Sequence, residues 1–184
     1  MTVCLILLSV ETCLPQEMAL PARSQVPLFL KILTCDRKLE TRSGNDIVIA
    51  IIYQRKFRTS LNVMEEMMSA ITESPGDKIG NMAVRWTAID ISHEENLAAA
   101  IARDNIDIFY VAPLRVVGME SLFGISREKK IMTLTGVPEY VESGLSVGIG
   151  TKGQKPLIII NITAAKAEGV DFNSQLLKLA RVIE

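Results

Sequence analysis

The chain has 184 residues, 48% of them hydrophobic, and a mean hydropathy of +0.27. That is enough for one domain with a substantial core, and it excludes a disordered chain. With 20 basic and 21 acidic residues, no block of like charges and 5% aromatics, a nucleic-acid partner has neither an electrostatic footprint nor a stacking surface.

The first 22 residues differ from the rest. VCLILLSV is an apolar run and MALPA a small-residue stretch ending at Ala22, the outline of an export signal (residues 1–22) followed by one domain (residues 23–184). The usual positive n-region is missing, which a start placed too far downstream would explain, and Glu11 follows the run closely. A buried N-terminal strand or helix in a cytoplasmic protein is the alternative. The run is too short to span a bilayer as a helix. Cleavage after Ala22 would remove Cys4 and Cys13 and leave Cys35, a small buried hydrophobe on a helix rather than a disulfide or metal ligand.

SQVPLFLKILTCD (24–36) has helical spacing, with Pro27 in the first turn, and RSGND (42–46) reads as a loop. IVIAII (47–52) is a β-branched run suited to a strand covered on both faces. Phe57, Leu61, Met64, Met67, Met68 and Ile71 share a helix face that SPGD (74–77) ends. The methionines read as core; a soft binding surface is the alternative. VRWTAID (84–90), DIFYVA (107–112) and IMTLTG (131–136) read as strands. EENLAAAIARDN (94–105), a piece around 119–123 and PEYVESG (138–144) read as helices. The alternation predicts a mostly parallel, Rossmann-like or flavodoxin-like sheet flanked by helices, in one α/β domain.

The rhythm then breaks. LSVGIGT (145–151) and PLIIIN (156–161) are too close for a parallel crossover and must form a hairpin. Two closing helices follow: TAAKAEG, capped by Asn161 or Thr163, and NSQLLKLARVI, capped by Asn173, with Leu176, Leu177, Ala180 and Ile183 on its core face.

GIGTKG (148–153) matches the G-x-G-x-x-G dinucleotide fingerprint by letter. That fingerprint works because its glycines lead into a helix whose N–H groups hold pyrophosphate. Here QKPLIIIN follows, a strand. Gly148 and Gly150 are therefore small strand residues, Gly153 a turn residue with positive φ, and no cofactor is expected. The sole histidine, His93, lies beside Glu94 and Glu95, which leaves no triad or multi-histidine metal site to assemble and no catalytic residues to assign. Glu65 and Glu66 are adjacent on a helix and point in different directions. In an open parallel sheet, ligands bind beyond the carboxyl ends of the strands. Those ends collect Arg55, Arg58, Arg115 and Thr135, a mildly cationic rim that is the candidate ligand or partner surface; ordinary loop solvation would give the same composition.

PLFLKILTCDRKLETR with IVIAIIYQ, TLTGVPEYVESGLSVGIG and, above all, KPLIIINITAAKAEGVDFNSQLLKLARVIE resemble the YfiR-like (YfiR/HmsC) family of bacterial periplasmic regulatory proteins over nearly all the chain beyond residue 26. The resemblance implies a non-enzymatic exported regulator. The best-known member represses a membrane-bound diguanylate cyclase by binding its periplasmic part, lowering cyclic-di-GMP and biofilm formation. The implied partner is thus the periplasmic portion of an inner-membrane signalling protein, a diguanylate cyclase or sensor kinase, with a homodimer left open. Some relatives carry disulfides, which Cys35 alone cannot form internally. The other readings are a periplasmic small-molecule binding module resembling one lobe of a solute-binding protein, and a cytoplasmic receiver- or flavodoxin-like protein. The latter lacks the acidic cluster that receiver chemistry needs at the end of the first strand.

Overall fold

The computed structural model describes residues 18–73, 78–92, 95–115 and 119–184. Most of the export-like segment, the SPGD helix stop, His93 and Glu94 lie outside the described residues. Helix α1 (Ala22–Leu33) buries Ala22, Gln25, Val26, Phe29, Ile32 and Leu33 along one stripe, as a 3.6-residue period requires. It starts earlier than the periodicity implied, because the Pro21 carbonyl takes the amides of Ser24 at 2.9 Å and Gln25 at 3.2 Å. Pro27 therefore falls in the second turn, on the solvent face, where loss of the bond to Arg23 is tolerated. Part of the RSGND loop is helical: α2 spans Leu39–Ser43.

Strand β1 (Asp46–Tyr53) is buried on both faces beyond its first residue, with Ile47, Ile49 and Ile51 in one core and Val48, Ala50 and Ile52 in the other. Each fully buried isoleucine contributes about 2 kcal/mol. Helix α3 (Arg58–Glu73) faces the first core with Ser60, Val63, Met67 and Ala70, while Met64 and Met68 flank it half-buried. The two-residue β2 (Lys78–Ile79), too short for any periodicity to reveal, pairs antiparallel with β3 (Met82–Asp90).

Helix α4 (Glu95–Asp104), β4 (Ile108–Val111), α5 (Met119–Lys129), β5 (Met132–Thr135), α6 (Pro138–Glu142) and β6 (Val147–Lys152) continue the alternation. The hairpin partner β7 (Lys155–Asn161), α7 (Ile162–Ala167), α8 (Ser174–Leu179) and β8 (Arg181–Ile183) close the chain. The sheet order is β2-β3-β1-β4-β5-β6-β7-β8, parallel from β3 to β6. Helices α1 and α3 cover one face; α4 and α5 cover the other.

The end departs from the sequence reading. Helix α8 stops at Leu179, and RVI forms an eighth strand parallel to β7, pairing Ile159 with Arg181 and Asn161 with Ile183. The outer edge of β7 offers a row of open backbone groups, and β-branched Val182 and Ile183 take them. Leu179 and Val182 remain exposed. Ile183 is thus a strand residue, not part of a helix face.

Candidate functional site

The chain leaves β1 toward β3 and then crosses back over β1 to β4. The space beyond the carboxyl ends of β1 and β4 is therefore the switch point, where doubly wound sheets hold their ligands. The structure brings two of the four expected rim residues to it directly. The Arg55 amide donates to Asp90 Oδ1 at 3.1 Å, its Nε to Asp90 Oδ2 at 3.3 Å and its Nη2 to the Tyr53 hydroxyl at 2.9 Å. The Arg115 amide donates to Gln54 Oε1 at 2.8 Å, and its guanidinium lies 4.9 Å from the centre of the Phe57 ring. Arg58 opens α3 one residue after Phe57 and is exposed. Thr135 is placed differently. Its side chain is buried, donating to the Val111 carbonyl at 3.0 Å and accepting from the Val137 amide at 3.1 Å, so it supports the rim from beneath.

Sequence reasoning missed the groups that fix these loops. Asp90 also accepts from the Ser92 amide at 3.0 Å and the Ser92 hydroxyl at 2.5 Å. Burial opposes its charge, but the hydrogen bonds from Ser92 and Arg55 prevail and hold its pKa below the usual carboxylate range. The D-I-S spelling at a strand end is the Asx-turn signal that points to it. Tyr140, whose pKa burial pushes up, accepts from the Leu114 amide at 2.8 Å and donates to the Leu114 carbonyl at 3.0 Å. The Gln54 amide donates to Ser60 Oγ at 2.9 Å. The strand ends thus carry a set of loops held by their own polar side chains beneath exposed arginines. Among the described residues no group of three or more His, Cys, Asp and Glu side chains could hold a metal ion.

A buried carboxylate lies elsewhere. Glu168, fully buried, accepts from Ser126 Oγ at 3.0 Å, the Thr133 amide at 2.9 Å, Thr133 Oγ1 at 2.9 Å and the Ser146 hydroxyl. Burial pushes its pKa up against these four donors. An acidic residue just after a short helix gives no sequence signal of burial.

GIGTKG forms β6 and its turn. It precedes a strand, so there is no helix end for a phosphate. Gly153 has φ +64° at the first position of the two-residue turn, as a type II′ hairpin requires.

Fold and strand order define a single α/β domain built on a mostly parallel eight-stranded sheet, with a switch point between β1 and β4. The YfiR/HmsC-like family model matches residues 40–181, and the chain belongs to that family. Among solved structures, a conserved domain protein from Vibrio cholerae matches with TM-score 0.61 and 15% identity, over 89% of this chain and 60% of that one. An ABC domain in complex with L-Trp from Streptococcus pneumoniae gives 0.58 and 14%, over 89% and 62%. A ligand-free, open substrate-binding protein with adhesive properties from Clostridium difficile gives 0.53 and 18%, over 80% and 57%. The chain spans about three-fifths of the length of these structures, and the likeness is one of fold. No curated protein matches the chain. Among the described residues no helix is long and apolar enough to cross a membrane.

Proposed function

We propose that the chain is an exported, non-catalytic regulatory adaptor. It docks on the periplasmic portion of an inner-membrane signalling protein, a diguanylate cyclase or sensor kinase, through the rim at the carboxyl ends of β1 and β4. The observation that carries this reading is the division of labour at the rim. Gln54, Ser60 and Tyr140 spend their polar atoms on loop backbone, and Asp90 holds backbone together with the Ser92 and Arg55 side chains, while Arg58, Arg115 against the Phe57 ring and the tethered Arg55 stay exposed. Arginine and aromatic groups on a pre-ordered backbone lose little entropy on docking and are the side chains that anchor protein interfaces. Membership of a YfiR/HmsC-like family supports a regulator.

The test is capture from solubilised membranes with the tagged mature chain, compared with an Arg55→Glu/Arg115→Glu variant of equal melting temperature. A membrane cyclase or kinase should be enriched by the parent and lost with the variant. Enrichment of neither class, or capture indifferent to the reversal, defeats the proposal. Recovery of the chain from a periplasmic extract is expected as well.

A further inference from the structure

The opposite end of the sheet holds a groove of about 1070 Å³, at the amino ends of β1 and β4 and just before β5. We propose that it is a second binding site, for a small organic anion with an apolar body. This goes beyond the adaptor reading and does not depend on it.

The apolar half of the groove is a slot between α4 and α5. Ile101 and Ile125, each only half-buried, form its walls, and Ile106, Ile131 and Val48 lie deeper. Half-exposed isoleucines facing an open volume of this size gain burial only when something enters. The charged half is the lip, where Arg42, Arg85, Lys129 and Lys130 outnumber Asp46 and Asp107.

How those cations are engaged decides the sign. Arg85 meets Asp46 at 3.5 Å and Lys129 meets Glu128 at 3.0 Å, both between exposed side chains where an ion pair contributes little. Lys130 Nζ donates to the Ala167 carbonyl at 2.9 Å, a neutral acceptor that leaves its charge uncompensated. Arg42 is committed through Nη2 to Asp36 at 2.7 Å and through Nη1 to the Lys130 carbonyl at 3.0 Å, yet its Nε–H is buried without an acceptor. That donor lies beneath the surface, so Arg42 offers an anion its charge and not a free N–H. Asp107, the one carboxylate half-buried in the wall, accepts from the Val48 amide at 2.8 Å, and its charge opposes an anion held close to it. The neighbouring carbonyl ends of α4 and α5 oppose an anion too, so the charge must sit out at the lysine and arginine lip with the apolar body inward.

The test uses the mature full chain and 1-anilinonaphthalene-8-sulfonate, an apolar body bearing one sulfonate, read by fluorescence. Saturable one-to-one binding is expected, displaced by decanoate but not by the same concentration of inorganic phosphate. Arg85→Glu/Lys129→Glu should weaken it at least tenfold at unchanged melting temperature. Should that double variant fail to fold, Ile125→Gln is read in the same titration and should weaken binding similarly. No saturable binding, displacement by phosphate as effective as by decanoate, or equal affinity in a folded variant overturns the proposal.

Discussion

At the scale of single residues, two glycines of GIGTKG have separate physical duties. A Cβ on Gly148 would stand 2.5 Å from a Val141 methyl, because α6 lies directly on β6. Gly153 has open space around it and only its positive φ to defend. Replacing Gly153 with Ala therefore costs only backbone strain, about 1–2 kcal/mol. Gly148→Val must displace α6 and should cost about 3 kcal/mol or more, overpacking a well-filled core. Urea unfolding of the two variants checks the order. If Gly153→Ala proves the worse, the close approach of α6 is not what fixes this stretch.

At the scale of elements, the C-terminal third is held by asparagines at helix starts. Asn161 Oδ1 accepts from the Ala164 amide at 2.9 Å, and its Nδ2 donates to the Val141 carbonyl at 3.2 Å; Asn173 Oδ1 accepts from the Leu176 amide at 2.9 Å. Asn173→Ala should cost about 1 kcal/mol, the usual loss of a cap. Asn161→Ala also removes the bond to the Val141 carbonyl, which keeps the Gly144 amide at 3.2 Å, and should cost about 1 kcal/mol more, the net worth of one hydrogen bond. Equal losses in thermal melts of both variants would show that the Val141 bond carries no weight. These caps were legible in the sequence, as were the parallel order and the hairpin, because each rests on local periodicity or spacing. Strand β8 was not. LKLARVI keeps helical spacing, and only the open edge of β7 converts its last residues to a strand. The positions of Arg55 and Arg115 at the strand ends were legible, but Asp90 also acts on Arg55 and Tyr140 on Leu114, partners far along the chain. The groove was invisible for the same reason, since Arg42, Arg85 and Lys130 meet only after the crossovers close.

At the scale of the whole molecule, the carboxyl-terminal block is tied to the rest by charge. Asp36, between α1 and α2, accepts from Arg42 at 2.7 Å and from the Asp171 amide at 2.9 Å, while the Arg37 amide donates to the Asp171 carbonyl at 2.9 Å. The Asp36 carboxylate is fully buried and the Arg42 side chain nearly so. Removing one member of such a pair leaves an uncompensated charge, so Asp36→Ala should destabilise by about 3–5 kcal/mol. Chemical denaturation should show one cooperative transition, because the tie joins both ends of the chain to one sheet. A variant that instead loses only the signal of α7 and α8 would mean that these helices form a separate cooperative unit.

Glu168 makes stability depend on pH in a definite direction. Its folded-state pKa is raised by burial, so the native state holds its proton where the unfolded chain has released it. Below the unfolded value both states are protonated, and the contribution is fully present. As pH rises past that value the unfolded chain ionises first, and stability falls until the folded pKa is passed, by about 1.4 kcal/mol for each unit of displacement. Asp107, also raised, acts in the same sense; Asp90, lowered, acts oppositely, its contribution lost as pH falls through its folded pKa. Glu168→Gln keeps an acceptor for the Ser126 and Thr133 hydroxyls but carries no titrating proton. Relative to the parent it should be most destabilised below the unfolded value of 4.5 and recover as pH rises above it and the parent loses its advantage. Urea midpoints across that range measure the difference directly. A gap that stays constant with pH would mean that Glu168 ionises alike in both states, with its four donors fully offsetting its burial.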